Sequence, residues 1–62
     1  MTTVCKDEFL AFLKRHPLAI PDGFKAVGSY IQTKWMEGEV EVARESKDGF
    51  GTIFEVRYEH PH

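Results

Sequence analysis

Three groups of side chains in this sequence have the types and spacing to do chemistry. The first is the glutamates of EGEVEV, residues 37 to 42, with Glu55 further along the chain. Alternate residues of a β-strand share one face about 6.8 Å apart. Neighbouring carboxylates repel and raise one another's pKa, as in general acid-base pairs. Glu41 and Glu55 are the pair that strand register would set side by side, but a pair on an open sheet face has no pocket to exclude water or hold a substrate.

The second group is Cys5 and His16, a thiol placed near a helix N-terminus and an imidazole on the same apolar stripe. A helix dipole acidifies such a thiol, yet eleven helical residues separate the two by about 16 Å. Cys5 is expected to act as a small buried hydrophobe, and His16 to close the helix over the core edge. The third group is His60-Pro61-His62, whose two imidazoles fall short of the ligand set of a closed transition-metal site. Asp48-Gly49-Phe50-Gly51 is glycine-rich but lacks the following Lys-Ser/Thr and helix of a phosphate loop, so it reads as turn chemistry. No catalytic residue, metal or cofactor is expected.

The elements that would hold these residues follow from periodicity. Cys5, Phe9, Phe12, Leu13 and His16 form one apolar helical stripe. This predicts a helix over about 4–16, capped by Thr2 or Thr3, charged to suit its dipole by Asp7, Glu8, Lys14 and Arg15, and stopped by Pro17. PLAIPDGF then reads as an irregular connection with Leu18 and Ile20 under the helix. Period-two alternation predicts strands over about 25–36, 39–45 and 51–59, with Gly28 marking a bulge or a close approach in the first. A two-residue loop at Glu37-Gly38 pairs Trp35 with Val40 and Thr33 with Val42. A three-residue loop at 47 to 49 pairs Val42 with Phe54 and Val40 with Val56, whereas a four-residue loop brings Phe54 opposite Glu41.

The expected fold class is therefore α+β: an N-terminal helix packed on a three-stranded antiparallel meander (α-β-β-β, sheet order 1-2-3), forming a single domain over residues 1–62. The helix-then-three-strands order resembles the first part of double-stranded-RNA-binding domains, but their final helix and its basic residues are missing here.

A chain of 62 residues buries only about 60% of the surface it exposes when unfolded. Small domains add disulfides, metals or association to compensate, and one cysteine excludes an internal disulfide. Association remains, so a homo-oligomer is expected. No run of eighteen apolar residues and no signal-like N-terminus is present, which predicts a cytoplasmic protein without membrane contact. The net charge of −2 is uneven: residues 1–36 carry five Lys/Arg against three Asp/Glu, and residues 37–62 carry three against seven.

The predicted register gives the outer sheet face Tyr30, Lys34, Met36, Glu39, Glu41, Glu45, Ile53, Glu55, Arg57 and Glu59. These are the candidate partner-binding residues, an acidic surface with apolar anchors suited to a partner protein with a basic surface. The expected function is a non-enzymatic protein-interaction module, a small accessory or inhibitor protein of phage or mobile-element type, acting through this face or an open strand edge. The alternative is nucleic-acid binding through Lys6, Lys14 and Arg15 on the helix or through the sheet, which the surplus of glutamates disfavours. A small enzyme is the third class.

Overall fold

A computed structural model describes residues 1–58. It contains one helix, α1 (Lys6–Arg15), and five strands: β1 (Thr2–Val4), β2 (Ile20–Val27), β3 (Tyr30–Glu37), β4 (Val40–Lys47) and β5 (Thr52–Val56). They form a single antiparallel sheet in the order β1-β5-β4-β3-β2. The three-stranded meander is thus corrected to a five-stranded sheet. Its two extra strands lie at opposite edges, and α1 carries the chain from one edge to the other.

Both extra strands have physical reasons for escaping periodicity. β1 is three residues long and pairs with β5 through Thr2 opposite Val56 and Val4 opposite Phe54. That length shows no alternation, and it removes Thr2 and Thr3 from any capping role. β2 is an edge strand, where proline is tolerated, and its pairing with β3 slips by one residue between Pro21 and Phe24, at Asp22-Gly23. Gly23 has φ +61°, a backbone shape that glycine adopts without penalty. Gly28 is not a bulge within a strand. It opens the two-residue turn between β2 and β3 with φ +62°.

The β3–β4 turn sets the register of everything after it. Gly38, with φ +65°, takes the first central position and Glu39 the second, the glycine placement of a type II′ hairpin. The loop is therefore Gly38-Glu39 rather than Glu37-Gly38, and Glu37 pairs with Val40 and Met36 with Glu41. A bulge follows: Trp35 pairs with Ala43, leaving Val42 as the extra residue. In a regular pleat Val42 and Ala43 would point to opposite faces. Here both enter the core, Val42 at 8% and Ala43 at 0% exposure. Beyond the bulge the alternation is inverted, so Arg44 lies opposite Lys34, Glu45 opposite Thr33 and also opposite Phe54. The β4–β5 loop has four residues, Asp48 to Gly51, not three.

The core is built from Phe9 and Phe12 of α1 against Val42, Ala43 and Val56, with Val4, Leu13, Trp35, Phe54 and Tyr58 packed around them. Phe9 meets Trp35 edge-on at 5.2 Å between ring centroids and lies tilted on Phe54 at 4.8 Å. Such aromatic contacts contribute about 0.5–1.5 kcal/mol each beyond area burial. Val40, expected in the core, is 50% exposed beside its turn. Leu18 and Ile20 are not under the helix but exposed, because β2 carries Ile20 out to the sheet edge. Cys5 is likewise exposed: it is the N-cap residue of α1, one position before the helical stripe begins. His16 is the C-cap, its ring stacked on Phe12 at 4.2 Å and its Nδ1 lying 3.3 Å from Glu37 Oε2.

Candidate functional site

Pairing and alternation divide the sheet into two surfaces. The face away from α1 carries Ile20, Lys25, Val27, Tyr30, Gln32, Lys34, Met36, Glu41, Arg44, Ser46, Ile53, Glu55 and Arg57. Seven of the ten expected binding residues share it: Tyr30, Lys34, Met36, Glu41, Ile53, Glu55 and Arg57. Glu39 sits in the hairpin turn, Glu45 is moved to the helix side by the bulge, and Glu59 lies outside the described residues, as does His60-Pro61-His62. The outer face is consequently not an acidic stripe. Lys25, Lys34, Arg44 and Arg57 outnumber Glu41 and Glu55 on it.

Two of these charges satisfy each other. Arg44 donates Nη2–H to Glu41 Oε1 at 2.8 Å and Nε–H to Oε2 at 3.0 Å, a two-bond clamp. The clamp lowers the Glu41 pKa, its hydrogen bond from Arg44 being the largest cause, and raises that of Arg44 for the same reason. Arg57 Nε–H donates to the Glu41 backbone carbonyl at 3.0 Å, and Gln32 meets the Ser46 hydroxyl at 3.4 Å. Glu41 faces Met36 and Glu55 faces Arg44, so the expected Glu41–Glu55 neighbours are not brought together. A displaced-upward carboxylate, the signature of an acid-base pair, is absent from Glu41.

An open groove of about 470 Å³ runs over this face beside the β4–β5 loop, between Tyr30, Arg44, Ile53 and Phe50. Asp48 Oδ1 accepts from the Phe50 and Gly51 N–H groups at 2.7 and 3.0 Å, so the loop is a closed Asx-type turn. It holds the Phe50 ring fully in solvent.

The helix side is different in kind. Five strands place four gaps of about 4.8 Å across the sheet, roughly 19 Å, while a helix is about 10 Å across. One helix can cover only half, and α1 lies over β5 and the adjoining part of β4. The β2–β3 half is left open. Its floor is Phe24, Ile31 and Thr33, with Trp35 where α1 ends the gap. Phe24 is 84% and Ile31 50% exposed, and Leu10 stands at 52% on the flank of α1 that faces the gap. Two grooves of about 420 and 470 Å³ meet here, sharing Glu45 and Lys47. The open half explains how a glutamate stands opposite Phe54: its carboxylate reaches water because no helix covers it.

Sequence reasoning placed the binding surface on the other face and missed Phe24, Ile31 and Leu10. The signal for them was present: Phe24 and Ile31 are large apolar residues flanking Gly28-Ser29, and a hairpin there makes them neighbours across one face. Cys5 and His16 lie at opposite ends of α1 and form no joint site. Tyr58 donates its phenol hydrogen to Glu8, and that bond raises the phenol pKa. Among the described residues no cluster of three or more His, Cys, Asp or Glu is placed to hold a metal, and no helix is long and apolar enough to cross a membrane. No protein-family model, no curated protein and no solved structure matches this chain.

Proposed function

We propose that this chain is a non-enzymatic protein-interaction module that works through the half of its sheet α1 leaves bare. The observation that carries the reading is the exposed Phe24 and Ile31, with Leu10 exposed in the adjoining groove, on a domain whose described buried core is Phe9, Phe12, Val42, Ala43 and Val56. Clustered exposed apolar residues in a groove are what partners cover. The grooves are open rather than enclosing, which favours binding over catalysis. An accessory or inhibitor role and a cytoplasmic place belong to the same proposal and rest on size and the single free thiol.

Nucleic-acid binding is the weaker reading. Lys34 and Arg44 adjoin on the outer face, but Glu41 clamps Arg44 and Glu55 stands beside it, which weakens the cluster's pull on phosphates.

The test is capture from native cells with three baits: the wild type, Phe24→Asp and the outer-face control Ile53→Asp. A protein retained by wild type and Ile53→Asp but lost with Phe24→Asp is the expected result. Equal capture by all three, or loss with Ile53→Asp alone, overturns the proposal.

A further inference from the structure

We infer that Phe50 is a preformed anchor of this module: its ring enters an apolar pocket on the same partner protein that covers Phe24 and Ile31. The anchor rests on the interaction-module reading and adds a shape to the partner, a socket for one phenyl ring beside a surface that lies on the sheet.

Order without cover is the first observation. Among the described residues Phe50 is the most exposed large apolar side chain, and no part of the domain shields its ring. A lone exposed apolar residue is ordinary, but this one sits in a closed loop. The Asp48 N–H donates to the Gly51 carbonyl at 3.0 Å, and the Asp48 carboxylate accepts from the N–H groups of Phe50 and Gly51 at 2.7 and 3.0 Å. One residue therefore ties the loop together, while Gly49 and Gly51, on either side of Phe50, bring no side chain to cover the ring. Backbone freedom that a slack loop would lose on binding is already lost here. Aromatic rings presented in this way are what interface cores favour.

Position is the second. Val27 pairs with Tyr30 and Ile31 with Lys47, so the β2–β3 turn and the β4–β5 loop stand at the same end of the sheet. Asp48 and Gly49 line the groove over Phe24 and Ile31, and Phe50 is the next residue along. A partner lying on that groove and reaching past Gly49 meets the ring.

A lipid surface is the competing occupant for an aromatic ring at a loop tip, and the surrounding charge disfavours it. Lys47 and Arg44 are matched by Asp48 and Glu55 around the loop, leaving no surplus of cations for anionic headgroups. One ring alone buries too little to hold a protein on a bilayer.

The test takes the protein that the wild-type bait retains from native cells, purifies it and titrates it against each variant by calorimetry. Phe50→Ala should weaken binding more than about tenfold and leave the thermal midpoint of the free chain unchanged. Asp48→Ala, which unties the loop, should weaken it about threefold or more, whereas Asp48→Asn keeps an acceptor for the turn and should not. Vesicles of phosphatidylserine and phosphatidylcholine should not sediment the chain; sedimentation of the wild type but not of Phe50→Ala overturns the protein socket in favour of lipid. Unchanged affinity in Phe50→Ala, where Phe24→Asp abolishes binding, overturns the anchor and leaves the interaction-module reading standing. Binding lost with Phe50→Ala but kept by Phe24→Asp overturns that reading of the bare half-sheet instead. A wild-type bait that retains no protein overturns both.

Discussion

The two faces of this sheet carry similar numbers of large apolar residues and treat them oppositely. On the outer face Ile20 lies beside Met36 and Val27 beside Tyr30, while Ile53 is set among Lys34, Arg44 and Glu55, and Glu41 and Arg44 clamp each other within β4. Small apolar pairs dispersed among charges make an ordinary solvated surface. On the helix side the apolar residues fall in two adjoining groups, the buried Phe9–Trp35–Phe54 cluster and the bare Phe24–Ile31 floor, with Thr33, Glu45 and Lys47 between them. The difference lies in coverage rather than composition: one ten-residue helix cannot roof five strands.

The covered half should dominate stability. Phe9→Ala removes a ring packed between Trp35 and Phe54 at 2% exposure and should cost about 3–5 kcal/mol. For so small a domain that is most of the total, so loss of the cooperative urea transition is expected. A variant that still unfolds near the wild-type midpoint would erase the contrast between the two halves.

How much of this was legible in the sequence differs by element. The helix, its end at Pro17 and the meeting of Trp35, Val42, Phe54 and Val56 on its side could be read from spacing, because those signals are local and repeat. β1 could not, since three residues carry no period. β2 was hidden by Pro21 and Asp22-Gly23, residues of turns that are equally at home on a bulged edge strand. The register failed for a sharper reason. Glycine belongs first in a type II′ turn, which moves the loop by one residue, and the bulge at Val42 then inverts the facing of Ala43, Arg44 and Glu45. A single extra residue is enough to turn an expected acidic stripe into a face of mixed charge.

That dependence on one turn can be measured. Gly38→Ala puts a side chain at φ +65° and should destabilise the fold by about 1 kcal/mol, whereas Glu39→Ala, its neighbour at negative φ, should change little. Comparable losses for the two in thermal unfolding would mean the register is not set there.

The outer face makes a smaller contribution, with a definite pH dependence. Arg44 holds the Glu41 pKa below its ordinary 4.5. A depressed folded-state pKa adds stability above the unfolded value and loses it as pH falls through the folded one. Stability from the clamp should therefore be complete above about pH 4.5 and decline below it. For a part-exposed pair the amount is about 0.5–1 kcal/mol. Glu41→Gln should remove it at neutral pH and flatten the acid limb of the stability profile; an unchanged limb would show that other carboxylates set it.

The smallest effect compares the faces most directly. Ile31 and Ile53 are matched, one on the helix side at 50% exposure and one on the outer face at 56%. Ile31→Ser and Ile53→Ser should each alter the stability of the isolated chain by no more than about 0.5 kcal/mol, since neither leaves a cavity. Folded-state contacts alone would make the two variants equivalent. Measured with rising concentration of the protein that the wild-type chain captures, they should diverge: the thermal midpoint of Ile53→Ser should climb as the wild type's does, because a partner that binds only the folded form stabilises it. That of Ile31→Ser should stay flat. Parallel behaviour of the pair would mean that the bare floor is solvated surface too, and that the faces differ only in how their charges are arranged.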